Sequence, residues 1–286
     1  MNRLIAGLTA LSLATLACSV NVDMGSRATP AIGPTETETI DVPRPDAESA
    51  EVTLSMGAGT LTLSGGGESL ISGTIDYNVA EWKPVIETDG NAVTVRQGGD
   101  TNGSFNAWPG GSVVNDWELL LGDLPVDLSV HAGAYQGNLN LGAVPLQRLE
   151  INDGAATTNV RFDDVNPEEM TEFIYKTGAS TVTLTGLANA NFAEMSFDGG
   201  AGAYTLDFSG DLQRDATVSI SSGVSTLTLI VPEGTHAVIT SDSALSSVTT
   251  TGEWSTSGST YTAEGEGPTL TIKVDTGVST LNLIRK

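Results

Sequence analysis

The sequence predicts an all-β protein: a repetitive β-solenoid, a stack of short strands with about 21–24 residues per repeat. Three observations predict it. The 286 residues are rich in Gly (33) and poor in charged (16%) and aromatic (5%) residues, with Val, Thr, Leu and Ser dominant. That composition suits strands and turns better than helices. One phrase is also written twice: SGVSTLTLI from Ser222 and TGVSTLNLI from Thr276, 54 residues apart. Finally, glycines inside alternating segments recur at Gly133, Gly154, Gly178, Gly200 and Gly223, in steps of 21, 24, 22 and 23 residues.

Taken in chain order, the N-terminus reads MNRLIAGLTALSLATLACSVNV. Arg3 supplies a positive start, and Leu4 to Leu16 form an apolar run too short for the roughly 20 residues of a membrane span. Ala17 then precedes Cys18, the only cysteine. The segment resembles a bacterial lipoprotein signal, which implies a signal peptide over 1–17 and lipidation of Cys18. Two or three acyl chains would anchor the chain stably. With one cysteine no internal disulfide can form, so the core must hold the fold alone.

Residues 18–49 read as the lipidated cysteine and a disordered tether rich in Thr, Pro and acidic residues, too poor in apolar side chains to order itself. An N-terminal β domain is expected over 50–145. VTLSMGAGTLTLSGG (Val52 to Gly66) is already repeat-like, and LISGTIDYNVAEWKPVIETDGNAVTVRQ reads as three strands. The TDGN turn at Thr88 to Asn91 closes a hairpin. A polar, Gly-rich loop precedes the strand DWELLL.

From 146 to 286 a solenoid repeat domain is expected. Each unit has an alternating strand (LEIND, FIYKT, MSFDG, VSISS, TIKVD), then Gly with small residues, then a second alternating strand (NVRF, VTLTG, TLDF, TLTLI, TLNLI). Leu227 and Leu229 share one face, as do Leu281 and Leu283. The glycine is expected to supply positive φ at a turn. The 54-residue gap reads as two longer repeats with an insertion over residues 253–269, and SDSALSSVTTTG as a degenerate copy. Pro125 and Pro232 each lead into an alternating strand, where a missing N–H is tolerated. Repeats of this length allow either a parallel helix or stacked antiparallel hairpins.

GAGTLTLSGG, GTIDYNVAEWKPVIETDGNAVTVRQ and the later GAG repeats resemble the toast-rack family of bacterial envelope proteins. They are also similar to the C-terminal domains of LiaF-type cell-wall-antibiotic-response proteins and to β-helical adhesins. The resemblance covers about residues 50–286. It implies a repetitive all-β fold outside the cytoplasm and carries over no catalytic residue.

The net charge of −23 excludes the electrostatic footprint of a nucleic-acid binder. His131 and His236, the only histidines, have no second ligand in metal spacing, so no metal and no cofactor is expected. There is no G-x-S-x-G and no P-loop. GGAGAY is similar to a calcium-binding nonapeptide but has Tyr204 where the Asp would stand. Asp163 with Asp164, and Glu168 with Glu169, read as a surface loop around Pro167 with room for a short helical turn.

Trp108 stands in the polar loop where no hydrophobic pattern explains it. It either caps the stack or, flanked by Asn102 and Asn106, forms a platform for a sugar ring. Trp82 and Trp117 fall within strand patterns and read as core or cap. The expected function is a lipid-anchored, extracytoplasmic, non-enzymatic interaction module. It would serve adhesion, structure or envelope-stress sensing, presenting an acidic β-repeat surface to a cell-wall polymer or an envelope protein. The alternative is a polysaccharide-active enzyme on a β-helix scaffold, for which Arg161 and Arg214 stand near strand patterns.

Overall fold

The computed structural model describes residues 31–99 and 112–286. In chain order the strands are β1 (Ile32–Val42), β2 (Ala50–Gly65), β3 (Ile71–Val79), β4 (Val85–Asp89), β5 (Ala92–Arg96), β6 (Asn115–Leu121), β7 (Val126–Asn140) and β8 (Leu146–Arg161). They continue as β9 (Met170–Thr185), β10 (Phe192–Asp207), β11 (Ala216–Val231), β12 (Gly234–Thr251), β13 (Ser255–Ser257), β14 (Thr260–Ala263) and β15 (Gly265–Arg285). All belong to one sheet, in the order β1-β3-β6-β2-β7-β8-β9-β10-β11-β15-β12-β14-β13, with the β4–β5 hairpin pairing to β2 beside this path.

From β2 through β12 neighbouring strands pair in parallel, so the repeats wind as a helix and do not stack as antiparallel hairpins. Each repeat contributes one continuous strand where the sequence suggests two short ones. A straight 16-residue strand would span about 53 Å. The links between β7 and β11 have only five to eight residues, reaching at most about 28 Å. The chain can return to its starting edge only if each strand folds back on itself.

The fold-back is recorded in the burial phase. In β8, Leu149, Ile151 and Asp153 point inward, Gly154 and Ala155 both face out, and Ala156, Thr158 and Val160 point inward again. Two successive outward residues are a corner. The same break falls at Gly178–Ala179, Gly200–Ala201, Gly223–Val224 and Gly277–Val278. Each strand thus lays one half on each of two walls, with the core between them.

The corner glycines do not take positive φ; that expectation is corrected, because none of Gly133, Gly154, Gly178, Gly200, Gly223 and Gly277 is left-handed. Glycine is needed there for closeness. A Cβ on Gly154 would stand 2.6 Å from the carbonyl oxygen of Gly133, and one on Gly178 would strike the carbonyl of Gly154 in the same way. The hairpin turn between β4 and β5 does use the left-handed region, at Gly90 with φ 63°.

The two copies of the opening phrase are immediate neighbours, not two repeats apart. β15 slots between β11 and β12, with Ser222 opposite Thr276 and Ile230 opposite Ile284. β12 is displaced outward, and the insertion folds as the β13–β14 hairpin, with β14 covering the first half of β12. Trp254, donating from Nε1 to the Thr251 carbonyl at 3.1 Å, packs on this end of the core with Tyr261.

Part of the expected tether is structured. Ile32–Val42 forms β1, antiparallel to β3. An edge strand needs little apolar surface: here Ile40 and Val42 are buried. Tyr77 donates to Glu36 at 3.0 Å and Lys83 pairs with Glu38 at 3.0 Å. Across the 145/146 division expected from sequence, β7 and β8 pair along their length, and one hydrophobic core runs through both halves. Trp117 and Trp82 lie in or against that core, Trp82 in a short 3-10 turn.

Candidate interaction surface

The corners place a polar cluster inside the solenoid. Asp153 is the last inward residue before its corner and is only 8% exposed. Tyr175 Oη donates to it at 2.7 Å, Thr177 Oγ1 donates a short bond, and Ser180 and Thr158 approach at 3.4 and 3.5 Å. Burial pushes the Asp153 carboxyl up from its ordinary value while these hydroxyls pull against it. Tyr135 and Tyr204 are buried in the same region, where burial raises both phenols and the Asp153 charge adds to the shift. Further along, hydroxyl pairs replace the carboxylate: Ser222 with Ser225 at 2.8 Å and Thr276 with Ser279 at 2.6 Å. Sequence reasoning missed Asp153, although LEIND already sets it in phase with Leu149 and Ile151.

The opposite corners are held by asparagines that were also missed. Asn166, 1% exposed, accepts from the Leu146 and Glu168 amides at 3.0 and 3.1 Å and donates to the Leu146 carbonyl at 2.8 Å. Asn191, left-handed at φ 56°, donates to the Glu168 carbonyl at 2.8 Å. Their only sequence signal is an asparagine in the link before a strand, four residues before β9 for Asn166 and one before β10 for Asn191.

The walls differ on their outer faces. The first half-strands carry mixed charge, including Glu51, Asp127, Glu150, Lys176, Asp198 and Asp275. Arg148 bridges Glu150 at 2.7 Å and Glu172 at 3.2 Å, and holds the Glu150 carboxyl below its usual range. The second half-strands carry two adjacent rows with no charged residue from β2 to β12. One row runs Asn138–Asn159–Thr183–Thr205–Thr228–Asn282. The other contains Thr157, Thr181, Thr226 and Thr280. A depression of about 250 Å³ opens on this wall, lined by Asn138, Leu139, Asn159, Arg161, Thr183 and Thr185.

Cys18, Asn102, Asn106 and Trp108 lie outside the described residues. His131 is half-buried on the charged wall, 3.3 Å from the Asn152 amide, and His236 lies near the start of β12. Asp163, Asp164, Glu168 and Glu169 sit on the β8–β9 link, where no helical turn forms. Asp163 accepts from Asn140 at 2.9 Å and Glu169 pairs with Arg214 at 2.9 Å, so these carboxylates serve the link. Arg161 and Arg214 stand apart: Arg214 bonds Asn191 at 3.0 Å, whereas Arg161 lines the depression. Among the described residues no group of three or more His, Cys, Asp or Glu is placed to hold a metal ion. No described helix is long and apolar enough to cross a membrane.

These features define a parallel β-solenoid with one charged wall, a second wall that carries two uncharged rows, and glycine corners. The family model described as the N-terminal domain of toast_rack, DUF2154, matches residues 31–185 and again 164–230. The chain belongs to the toast-rack family. The overlapping second match fits a structure built from repeats. No curated protein matches the chain.

Among solved structures, the chain is similar to a candidate cell adhesion protein from Clostridium sporogenes (19% identity, 88% of this chain and 100% of that one, TM-score 0.47). It is also similar to a candidate lipid binding protein from Parabacteroides distasonis (12%, 88% and 97%, TM-score 0.40). A third is a candidate adhesin from Parabacteroides merdae (13%, 87% and 95%, TM-score 0.35).

Proposed function

We propose that the chain is a non-enzymatic interaction module, anchored by lipid at Cys18 outside the cytoplasm. In this role it presents its repeat walls to a cell-wall polymer or an envelope protein, in adhesion or envelope-stress sensing. One observation carries this reading: eight in-register parallel strands, β2 to β12, display repeating side chains over two extended walls. Such a surface suits a partner that is itself extended or repetitive. The lipobox-like TLAC sequence supports the anchor.

The test is co-sedimentation of the full-length chain, held in detergent, with isolated cell-wall sacculi, with and without calcium. Saturable pelleting is the expected result; no pelleting in either condition would overturn the wall-polymer reading and direct the search to a protein partner. The anchor is tested separately by cell fractionation. Cys18→Ala is expected to release the protein from the membrane, and full retention of that variant would remove the argument for lipidation.

A further inference from the structure

We infer that the two uncharged rows on the outer wall of the second half-strands, bordered by Arg161, are a docking face for an uncharged, extended β-linked glycan: the backbone strand of the cell wall. This inference rests on the interaction-module reading above and names the surface and the chemistry of its partner.

Charge selects the face. The chain carries −23 overall, and the first half-strands present carboxylates along their outer side. On the second half-strands, the row Asn138–Asn159–Thr183–Thr205–Thr228–Asn282 and its neighbour contain only hydroxyls, amides and one Ala203. A partner that brings no charge loses no ionic hydration on docking there. It meets donors and acceptors of the kind that sugar hydroxyls and acetamido groups require.

Spacing selects an extended polymer. Parallel strands stand about 4.8 Å apart, and an extended β-linked glycan advances by about the same distance per sugar ring. A strand lying along the solenoid axis would place one ring over each rung, for about 34 Å across the eight strands. Contacts that are weak singly then add as a multivalent set. The depression of about 250 Å³ is large enough for one ring, and Arg161 lies at its edge. Among the described residues Arg161 has no salt bridge or side-chain hydrogen bond, so its guanidinium donors are available to ring or hydroxyl oxygens.

The experiment pairs a defined probe with the native polymer. Chitohexaose, an uncharged β-1,4-linked hexamer, is titrated against the full-length chain and followed by calorimetry. The same preparation is pelleted with sacculi. Two variants are compared: Asn138→Ala/Asn159→Ala/Arg161→Ala, which alters the uncharged rows and the arginine beside them (the uncharged-wall variant), and Glu150→Gln/Asp198→Asn on the charged wall. Unfolding midpoints check that both remain folded.

The expected result is saturable chitohexaose binding, weakened at least tenfold by the uncharged-wall variant and changed less than twofold by the charged-wall variant. Sacculus binding should follow the same order. Sacculus binding that survives the uncharged-wall variant would overturn this inference while leaving the wall-binding function standing. So would the absence of chitohexaose binding, or a wild-type dimer that this variant dissociates, since the wall would then be covered by a second copy. Loss of sacculus binding by the wild type alone would count against the broader function, and the chitohexaose titration would still decide this one.

Discussion

Gly178 shows how a single hydrogen can decide whether two rungs stack. Its corner lies against the Gly154 carbonyl, and a methyl group there must push the rungs apart. Gly178→Ala is expected to destabilise the fold by about 1–3 kcal/mol, as overpacking does. Ala179→Ser, one residue on and facing solvent, should stay within about 0.5 kcal/mol of wild type. Urea unfolding of the two variants side by side checks the pair.

Asp153 makes a second prediction at the same scale. Burial raises its carboxyl, so the folded state keeps this proton at a pH where the unfolded chain has released it. The stability due to that proton is complete below the unfolded carboxyl's pKa and is lost as pH rises through the raised folded value. Asp153→Asn does not titrate. Its unfolding midpoint, relative to wild type, is expected to improve from about pH 4 to about pH 7. A constant gap across that range would mean that the hydroxyls around Asp153 offset its burial completely.

Among the elements, β15 matters most because it lies between β11 and β12 and pairs with both along their length. In an ordinary linear array, removing the last repeat costs one interface. Here truncation after Glu264 would remove two interfaces and leave β12, with its β13–β14 hairpin, without its parallel neighbour. We expect the amides of β12 to lose hydrogen-exchange protection while those of β7 to β9 keep theirs. Protection that persisted in β12 would show that it can pair directly with β11. At the other end, β1 is an edge strand, and the carboxylates of Glu36, Glu38 and Asp41 along it discourage further strand addition.

For the whole molecule the net charge is −23, against which seven ion pairs stand among the described residues. Most of these pairs are substantially exposed, and such pairs contribute about 0–1 kcal/mol each. Self-repulsion among carboxylates therefore opposes compaction. Raising ionic strength from about 0.01 M to about 0.15 M should raise the thermal midpoint, since the screening length shrinks from about 30 Å to about 8 Å. A midpoint that fell with salt would show that the ion pairs outweigh the repulsion.

By itself the sequence determined the all-β class, the repeat length and which side chains face inward. These are local properties: alternation has a period of two and the corners recur at glycine, so Leu227, Leu229, Leu281 and Leu283 could be placed without coordinates. Pro125 and Pro232 likewise mark where β7 and β12 begin. Tertiary structure alone decided the parallel winding, the ordering of residues 32–42 and the placement of β15 between β11 and β12. Each depends on which distant strand supplies the backbone partner, and alternation is the same whichever neighbour does so. The uncharged wall was half legible: TLTLI and TLNLI show Thr and Asn in the outward phase. Only the register that aligns Asn138, Asn159, Thr183, Thr205, Thr228 and Asn282 turns scattered polar residues into one continuous face.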